Sequence, residues 1–262
     1  MIEPSTLRRA LEEKDRVYNA LILRHIMGRY GRGNIGFLWT FIEPMLLCVG
    51  VMAIWSLTKG GVEHGVQLTA VVFTGYMPLT LWRHMTNSMG HVMRSSKFLM
   101  NYRMISQYDV ILARLFIEFF STSGAALFVY IVLNTFGILP DVYDWSRVIL
   151  GWLIMGALGF GGGALMAGIT EANEVVEKFI PAFQYLMLPF SGCFFMLSWL
   201  PDSSREALLY VPFPHAFETI RAGFFGPGVM TYSSPSYGFA WALFLAGCGF
   251  LIIRMVRDHI EG

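Results

Sequence analysis

Residues 148–170 read VILGWLIMGALGFGGGALMAGIT and contain no charged side chain. A helical crossing of the hydrocarbon layer needs about 20 such residues, so this stretch predicts a transmembrane helix. The whole chain has a similar character, because 55% of its 262 residues are hydrophobic and 14% are charged. Soluble domains carry roughly 25% charged residues. Most of the surface is therefore expected to face something other than water.

Five further stretches have a comparable length and composition. The chain is predicted to be an all-α membrane protein with six transmembrane helices, at 36–57, 66–82, 110–133, 148–170, 179–199 and 237–255. The second is expected to run a turn or two further. The fifth contains Pro181, Pro189 and Gly192, so a kink or break is expected there. Six spans leave no room for a second soluble domain, and residues 1–262 are interpreted as one membrane domain.

Small residues recur four positions apart in the fourth and sixth spans. This spacing lets two helix backbones approach closely. The pairs are Gly159/Gly163, Ala164/Gly168 and Ala242/Ala246.

The Lys and Arg residues outside the spans are distributed unevenly. Fourteen lie in the N-terminal segment, the second and fourth loops and the C-terminal tail, whereas four lie in the other loops. Cytoplasmic loops of membrane proteins carry the excess of basic residues. Both termini are therefore predicted to lie in the cytoplasm.

Three segments outside the spans differ from ordinary loops. Residues 5–30 mix apolar and charged residues in a helical rhythm, which predicts an amphipathic helix in the cytoplasmic interface. This helix is either a platform beside a cytoplasmic partner or a membrane-surface anchor, and the two roles are compatible.

The second segment, residues 91–109, reads HVMRSSKFLMNYRMISQYD and is called the coupling segment below. One apolar face of a short helix is expected here, formed by Phe98, Leu99, Tyr102 and Ile105. Such a face predicts docking into a groove of a soluble motor subunit; the alternative is a helix packed on lipid headgroups. The candidate coupling residues are Arg94, Lys97, Phe98, Tyr102 and Arg103.

The third segment, residues 200–236, is called the external segment. It is long, largely apolar and broken into short pieces by Pro201, Pro212, Pro214 and Pro227, so it is not expected to be free in solution. Two short helices near 204–211 and 215–225 are predicted to dip partway back into the membrane. The segment is either a lid over a pathway or a plug at a subunit interface.

Catalytic motifs are missing from the sequence. There is no GxxxxGK[ST] run, so the chain is not expected to hydrolyse ATP through a P-loop, and HExxH, CxxC and GxSxG are absent too. The six histidines are scattered, and no metal site is predicted. The chain is therefore interpreted as a non-catalytic protein without a cofactor of its own.

Few ionisable groups fall within the spans. Arg114 and Glu118 lie four apart in the third span, close enough to pair on one helix face. An ion-coupled carrier would be expected to have more charges near the midplane. A membrane-embedded glycan enzyme would need paired carboxylates facing a lumen, and no such pair is evident.

Aromatic residues are more numerous in the spans. Aromatic rings pack against the apolar faces of sugars, while hydroxyl tips offer hydrogen bonds. Such a lining would let a long glycan slide; the alternative is that these residues only pack the bundle. The candidate lining residues are Phe37, Trp39, Phe41, Glu43, Tyr76 and Tyr185.

Several short motifs resemble those of polysaccharide-exporting permeases of the ABC-2 type, in particular the capsule-polysaccharide branch. The N-terminal motif is RYGRGNIGFLW at residues 29–39, followed by Glu43-Pro44. The others are NYR at 101–103, Ala113-Arg114 with Glu118, LPFSG at 188–192 and RAGFFG at 221–226. The resemblance covers essentially the whole chain.

This resemblance implies a homodimer in the bacterial inner membrane, with one channel at its interface and two copies of a separate ABC ATPase subunit that bind ATP and Mg²⁺. It places a coupling helix in the coupling segment and periplasmic gate helices in the external segment, with His215, Glu218, Arg221 and Phe225 as candidate gate residues. It further implies a lipid-linked acidic polysaccharide as cargo, a periplasmic adaptor and an outer-membrane polysaccharide exporter. O-antigen, teichoic acid or a drug is the alternative cargo.

Overall fold

The computed structural model describes residues 18–23, 35–60, 62–100 and 105–260 and is 81% helical. Residues 18–23 are helical, and two-residue strands β1 (Val62–Glu63) and β2 (Val66–Gln67) form a hairpin. One-turn 3-10 helices lie at Leu197–Trp199 and Gly226–Gly228. The other helices are α1 (Ile35–Lys59), α2 (Leu68–Asn87), α3 (Val92–Ser95), α4 (Lys97–Met100), α5 (Gln107–Thr135), α6 (Trp145–Ala172), α7 (Val175–Ser191), α8 (Asp202–Leu208), α9 (Pro212–Phe225) and α10 (Pro235–Ile260).

Three helices in the described part of the chain are long and apolar enough to cross a membrane: α5, α6 and the part of α10 from Pro235 to Val256. Large apolar side chains on these helices point outward, including Phe120 at 66% and Leu243 at 75% exposure. Exposed apolar surface of this extent is compatible with lipid rather than with water. The chain is therefore an all-α membrane protein. Helices α1, α2 and α7 lie in the other three predicted segments, and the total of six spans stays a prediction.

The second predicted span begins two residues later than expected. Val66 and Gln67 pair with β1 instead, in the register Val62–Gln67 and Glu63–Val66. The turn between the strands is His64-Gly65, with φ of 50° and 78°. Positive φ at both turn residues is typical of the tightest antiparallel hairpins. At its other end α2 continues to Asn87, about a turn beyond residue 82, as expected.

The fifth predicted span, 179–199, is wrong at its C-terminal end, because α7 ends at Ser191. Gly192 adopts a left-handed conformation with φ of 77°, which commonly ends a helix and suits a residue without a Cβ. Both Pro181 and Pro189 lie inside α7. The break expected in this stretch therefore lies after the second proline.

The core lies between α2, α5, α6, α9 and α10, and most of α2 and α9 is buried in it. Helix α7 lies at the outside, since only Ile180, Gln184 and Ser191 are buried among its described side chains. The uncovered surface of α7 includes large apolar groups, with Phe179 and Leu186 each more than half exposed.

The small residues of α6 allow close helix packing, as predicted. A Cβ at Gly161 would overlap the carbonyl oxygen of Ala242 on α10, and one at Gly168 would lie 3.0 Å from the carbonyl oxygen of Gly249. On another face of α6, Gly159 and Gly163 pack against α2, where Met85 would meet an added Cβ at either position.

Candidate functional site

Three of the four predicted gate residues form one buried cluster on α9. His215, Glu218 and Arg221 have exposed fractions of 4%, 0% and 0%, and they are called the outer cluster below. Charged side chains are almost never fully buried unless they are paired, because desolvation of a charge is costly. Their partners therefore define what the cluster does.

Arg221 binds backbone carbonyls immediately after the end of α7. Its Nη1 donates hydrogen bonds to the carbonyl oxygens of Gly192, at 2.9 Å, and Phe195, at 2.6 Å. Its Nη2 donates to the carbonyl oxygen of Cys193 at 2.7 Å. The same side chain pairs with Glu218, with 3.5 Å between Nη1 and Oε1. Arg221 thus fixes the chain reversal that follows α7.

Glu218 and His215 bind backbone on either side of α9. The Glu218 carboxylate accepts hydrogen bonds from the backbone N–H of Leu197, at 3.3 Å, and of Tyr232, at 3.0 Å. The backbone N–H of Ser234 donates to Nδ1 of His215 at 3.0 Å, so Nδ1 carries no proton. Nε2 faces the carbonyl oxygen of Leu209 at 2.9 Å and therefore carries the proton of a neutral imidazole.

The outer cluster therefore holds the external segment and the end of α7 together. The fourth predicted gate residue, Phe225, lies apart from it at the end of α9. Phe225 packs on a small apolar cluster that contains Val66, Val71 and Met196. The interpretation of these four residues as a gate stays a prediction.

The loop before α6 fixes the other end of α9. The backbone N–H of Asp144 donates to the carbonyl oxygen of Gly223 at 2.8 Å. The Asp144 side chain caps α6 by accepting hydrogen bonds from the backbone N–H of Ser146, at 2.9 Å, and from its hydroxyl, at 2.6 Å. The bond from the Ser146 hydroxyl is the main reason why the pKa of Asp144 lies below its usual value.

Two predicted lining residues, Tyr76 and Tyr185, share one cleft between α1, α2 and α7. This cleft has a volume of about 240 Å³ and is called the polar cleft below. Its remaining lining residues are Leu47, Thr80, Arg83, His84 and Asn87. The other predicted lining residues, Phe37, Trp39, Phe41 and Glu43, belong to α1, but their side chains lie outside the part of the chain that the structure describes.

Arg83 is a site residue that the sequence analysis missed, since it was counted among the basic loop residues. In the structure it lies inside α2, one turn before the helix ends. The available signal was spacing: Tyr76, Thr80, Arg83 and Asn87 recur at intervals of four, three and four, which places them on one helix face.

In residues 91–100, the described part of the coupling segment before its gap, α3 and α4 are separated by Ser96. Ile105 lies outside any helix and packs against the main core, so the predicted apolar face that included it is wrong. Its backbone leads into Ser106, which caps α5. Phe98, by contrast, is 67% exposed, and Lys97 is exposed as well. The coupling residues Tyr102 and Arg103 lie outside the described residues.

Arg94 connects the coupling segment to the beginning of α7. Its guanidinium pairs with Glu174, at 3.2 Å, and with Glu177. His91 lies near the same carboxylate, with 3.7 Å between Nδ1 and Oε1 of Glu177. The predicted coupling residue Arg94 is therefore already paired within the chain, whereas Lys97 is exposed.

A second contact reaches this region from the N-terminal segment. The Tyr18 hydroxyl donates to Oδ1 of Asp109 at 3.0 Å. Burial, followed by this hydrogen bond and the nearby carboxylate charge, raises the pKa of Tyr18 to about 12. Of the predicted interfacial helix 5–30, only residues 18–23 are described, and these are helical. Farther along α5, Arg114 and Glu118 pair at 3.5 Å as predicted.

The fold and these sites define a helical membrane protein with a polar cleft beside its central helix. No family model matches the chain. It is 33% identical over 246 residues to the capsule polysaccharide export inner-membrane protein CtrC of Neisseria meningitidis, covering 94% of this chain and 93% of the relative. It is 29% identical to BexB of Haemophilus influenzae, a protein of the same description, over 99% of this chain and 98% of the relative.

A more distant relative is the polysialic acid transport protein KpsM of Escherichia coli, which is 21% identical over 82% of this chain and 83% of its own length. The chain belongs to the family of capsule polysaccharide export inner-membrane proteins. The family predicted from the sequence motifs is thereby confirmed.

Proposed function

We propose that this chain is the transmembrane subunit of an ATP-driven exporter that moves lipid-linked capsular polysaccharide across the inner membrane. The observation that carries the proposal is the similarity to capsule polysaccharide export proteins over nearly the full length of both chains. Two copies of the chain would form the channel at their interface. Two copies of an ABC ATPase subunit would drive it, and a periplasmic adaptor and an outer-membrane exporter would complete the route.

The chain would act as one membrane domain, residues 1–262, with six spans and both termini in the cytoplasm. The lengths of α1, α2 and α7 support the three spans that composition alone leaves open, since each reaches or exceeds about 17 residues, the lower limit for a crossing. The cytoplasmic side would then hold the interfacial helix and the coupling segment. The periplasmic side would hold the external segment, with α8 and α9 as re-entrant gate helices.

The channel face would be formed by α1, α2 and α7. These three helices surround the polar cleft, and α1 and α7 have large uncovered apolar surfaces beside it, including Leu46 at 59% and Tyr185 at 59% exposure. A second copy facing this surface would cover it and enclose the cleft. Helix α1, which carries part of this surface, also carries the predicted lining residues Phe37, Trp39, Phe41 and Glu43.

The exporter itself is tested by reconstitution of the chain with and without its ATPase partner. Purified chain alone should not move polysaccharide across a proteoliposome membrane. With the ATPase present, capsular polysaccharide should stimulate ATP turnover and appear in the lumen. Nucleotide-independent transport by the chain alone would contradict the proposal.

The coupling segment gives a prediction in which two neighbouring cations behave differently. Lys97→Glu should weaken ATPase binding about tenfold, the ratio that corresponds to about 1.4 kcal/mol of lost charge complementarity. Arg94→Glu should also weaken it, but indirectly, because the variant places a third carboxylate beside Glu174 and Glu177. Co-purification of the ATPase with tagged chain measures both effects.

The control restores the internal ion pair. Arg94→Glu combined with Glu177→Arg should recover ATPase binding, because a cation and an anion again face each other between α3 and α7. The second substitution should not rescue Lys97→Glu. ATPase retention by Lys97→Glu at the level of the unaltered protein would show that α4 is not the docking surface.

A further inference from the structure

One face of α2 lines the polar cleft. Tyr76, Thr80, Arg83 and Asn87 lie on this face, at steps of four, three and four, so they form a single stripe along the helix. Most of α2 is otherwise buried, and this stripe presents aromatic, hydroxyl, guanidinium and amide groups to the cleft.

Arg83 is held in position at the centre of this stripe. Its Nε donates to Oε1 of Gln184 at 3.4 Å, and its guanidinium lies over the Tyr185 ring, 4.9 Å from the centroid. Gln184 is itself fixed, since it is 1% exposed and its Nε2 donates to the Thr86 hydroxyl at 2.7 Å. The buried amide and the ring thus orient the guanidinium instead of leaving it to follow solvent.

The contacts of Arg83 with described residues do not balance its charge. In the described part of the chain, no carboxylate lies within ion-pair distance of it. Ionisable groups within membrane helices usually pair with one another, and where they do not they mark substrate pathways. The planar guanidinium fork is the side chain best suited to bind a carboxylate or phosphate through two hydrogen bonds.

We propose that the polar cleft binds an anionic group of the polysaccharide cargo, with Arg83 pairing with the anionic oxygens. The sugar ring that bears or adjoins this group packs on the exposed part of Tyr185, and Asn87 and Tyr76 lie along the direction in which the chain continues. The anionic group is either the carboxylate of an acidic sugar or a phosphate group of the lipid-linked end. This inference rests on the proposed function, because it takes a glycan as the cargo.

Binding to the full chain, assembled with its ATPase partner in lipid nanodiscs, tests the inference. The probes are capsule oligosaccharides from the strain that carries this gene, the same oligosaccharides after carboxyl reduction, and lyso-phosphatidylglycerol. Arg83→Gln should lower the affinity for the anionic probe about tenfold, as expected when a charged hydrogen-bond donor is lost, and Arg83→Lys should recover part of it. Arg254→Gln, at an exposed cation on α10, is the matched control and should bind as the unaltered protein does.

The probes separate the two sources of the anion. Loss of Arg83-dependent binding on carboxyl reduction identifies the sugar carboxylate. Arg83-dependent binding of lyso-phosphatidylglycerol, with no effect of carboxyl reduction, identifies the phosphate. Equal binding by Arg83→Gln and the unaltered protein, or no binding of any probe to the unaltered protein, overturns the inference.

Surface polysaccharide on cells that lack their own copy of the gene separates failure of this inference from failure of the proposed function. If the unaltered chain restores the capsule and Arg83→Gln restores it equally, only the cleft is refuted. If the unaltered chain restores no capsule, the proposed function itself fails. The expected result is a restored capsule with the unaltered chain and several-fold less with Arg83→Gln at an equal amount of membrane-inserted protein.

Discussion

Replacement of Arg221 by alanine is expected to destabilise the folded chain by about 3–5 kcal/mol, the usual effect of removing one partner of a buried ion pair. Arg221 is fully buried and binds three backbone carbonyls in addition to Glu218. Without it, the carbonyls of Gly192, Cys193 and Phe195 lose their donor in a largely buried environment. The Glu218 carboxylate keeps its two backbone donors but loses its only nearby cation among the described residues.

Thermal unfolding of the purified protein in detergent measures this effect, and the chain contains a matched control. Arg147 and Asp144 also form an ion pair three residues apart, but Arg147 is 61% exposed. Exposed pairs contribute about 0–1 kcal/mol, so Arg147→Ala should shift the unfolding midpoint little. If Arg221→Ala and Arg147→Ala destabilise the protein equally, the carbonyl contacts of Arg221 are not a structural link.

The hydrogen bonds from Arg221 to backbone carbonyls show why part of the fold could not be predicted from the sequence. Hydropathy and length predict a span over 179–199, and Pro181, Pro189 and Gly192 predict a break within it but not the residue at which the helix ends. The helix ends at Ser191 since Gly192 turns left-handed and the next carbonyls find a donor on α9, 29 residues away from Gly192. A side chain that binds backbone carbonyls leaves no pattern of paired residue types to detect.

The predictable features were those with a fixed period or spacing. The Gly159/Gly163 and Ala164/Gly168 steps predicted close helix packing, because only small side chains permit it, and α6 packs in this way against α2 and α10. The four-residue step from Arg114 to Glu118 predicted an ion pair that the structure contains. In both cases the two residues of each pair lie on one helix, so their spacing follows from helix geometry alone.

The polar cleft could be predicted from the sequence only in part. The stripe from Tyr76 to Asn87 has the same helical spacing as the predicted pairs, but it became visible only when α2 was known to include Arg83. The comparison of Lys and Arg residues on the two sides of the membrane included Arg83 as a loop residue. That comparison does not depend on the residue at which α2 ends. Tyr185 comes from another helix, so its place beside Tyr76 depends on tertiary packing that no single-helix pattern contains.

Gly75→Ala is expected to have the second large effect, a destabilisation of about 3 kcal/mol, at the upper end of what overpacking costs. A Cβ at this position would overlap the carbonyl oxygen of Cys193 and lie 2.8 Å from its carbonyl carbon. It would also lie 3.3 Å from Nη2 of Arg221. Because the obstacle is backbone, no side-chain rotation relieves the clash. Either α2 or the loop after α7 has to move.

The same unfolding measurement applies, with Gly124→Ala on α5 as its control. No heavy atom lies within 4 Å of a Cβ added at Gly124. Alanine there should be neutral or stabilise the helix by about 0.5–1 kcal/mol, since glycine has the greater backbone freedom in the unfolded chain. Equal stability of the Gly75→Ala and Gly124→Ala variants would contradict the close approach of α2 to Cys193.

The consequence of Gly75→Ala should extend beyond stability, because Gly75 and Tyr76 are adjacent on α2 but point to different surroundings. Gly75 meets the loop held by Arg221, whereas Tyr76 faces the polar cleft. A displacement of α2 at Gly75 therefore moves the cleft relative to Tyr185 on α7. Folded protein that carries Gly75→Ala should bind the anionic probe more weakly, while Gly124→Ala leaves binding unchanged. The packing that stabilises α2 at Gly75 would then also set the shape of the proposed cargo site.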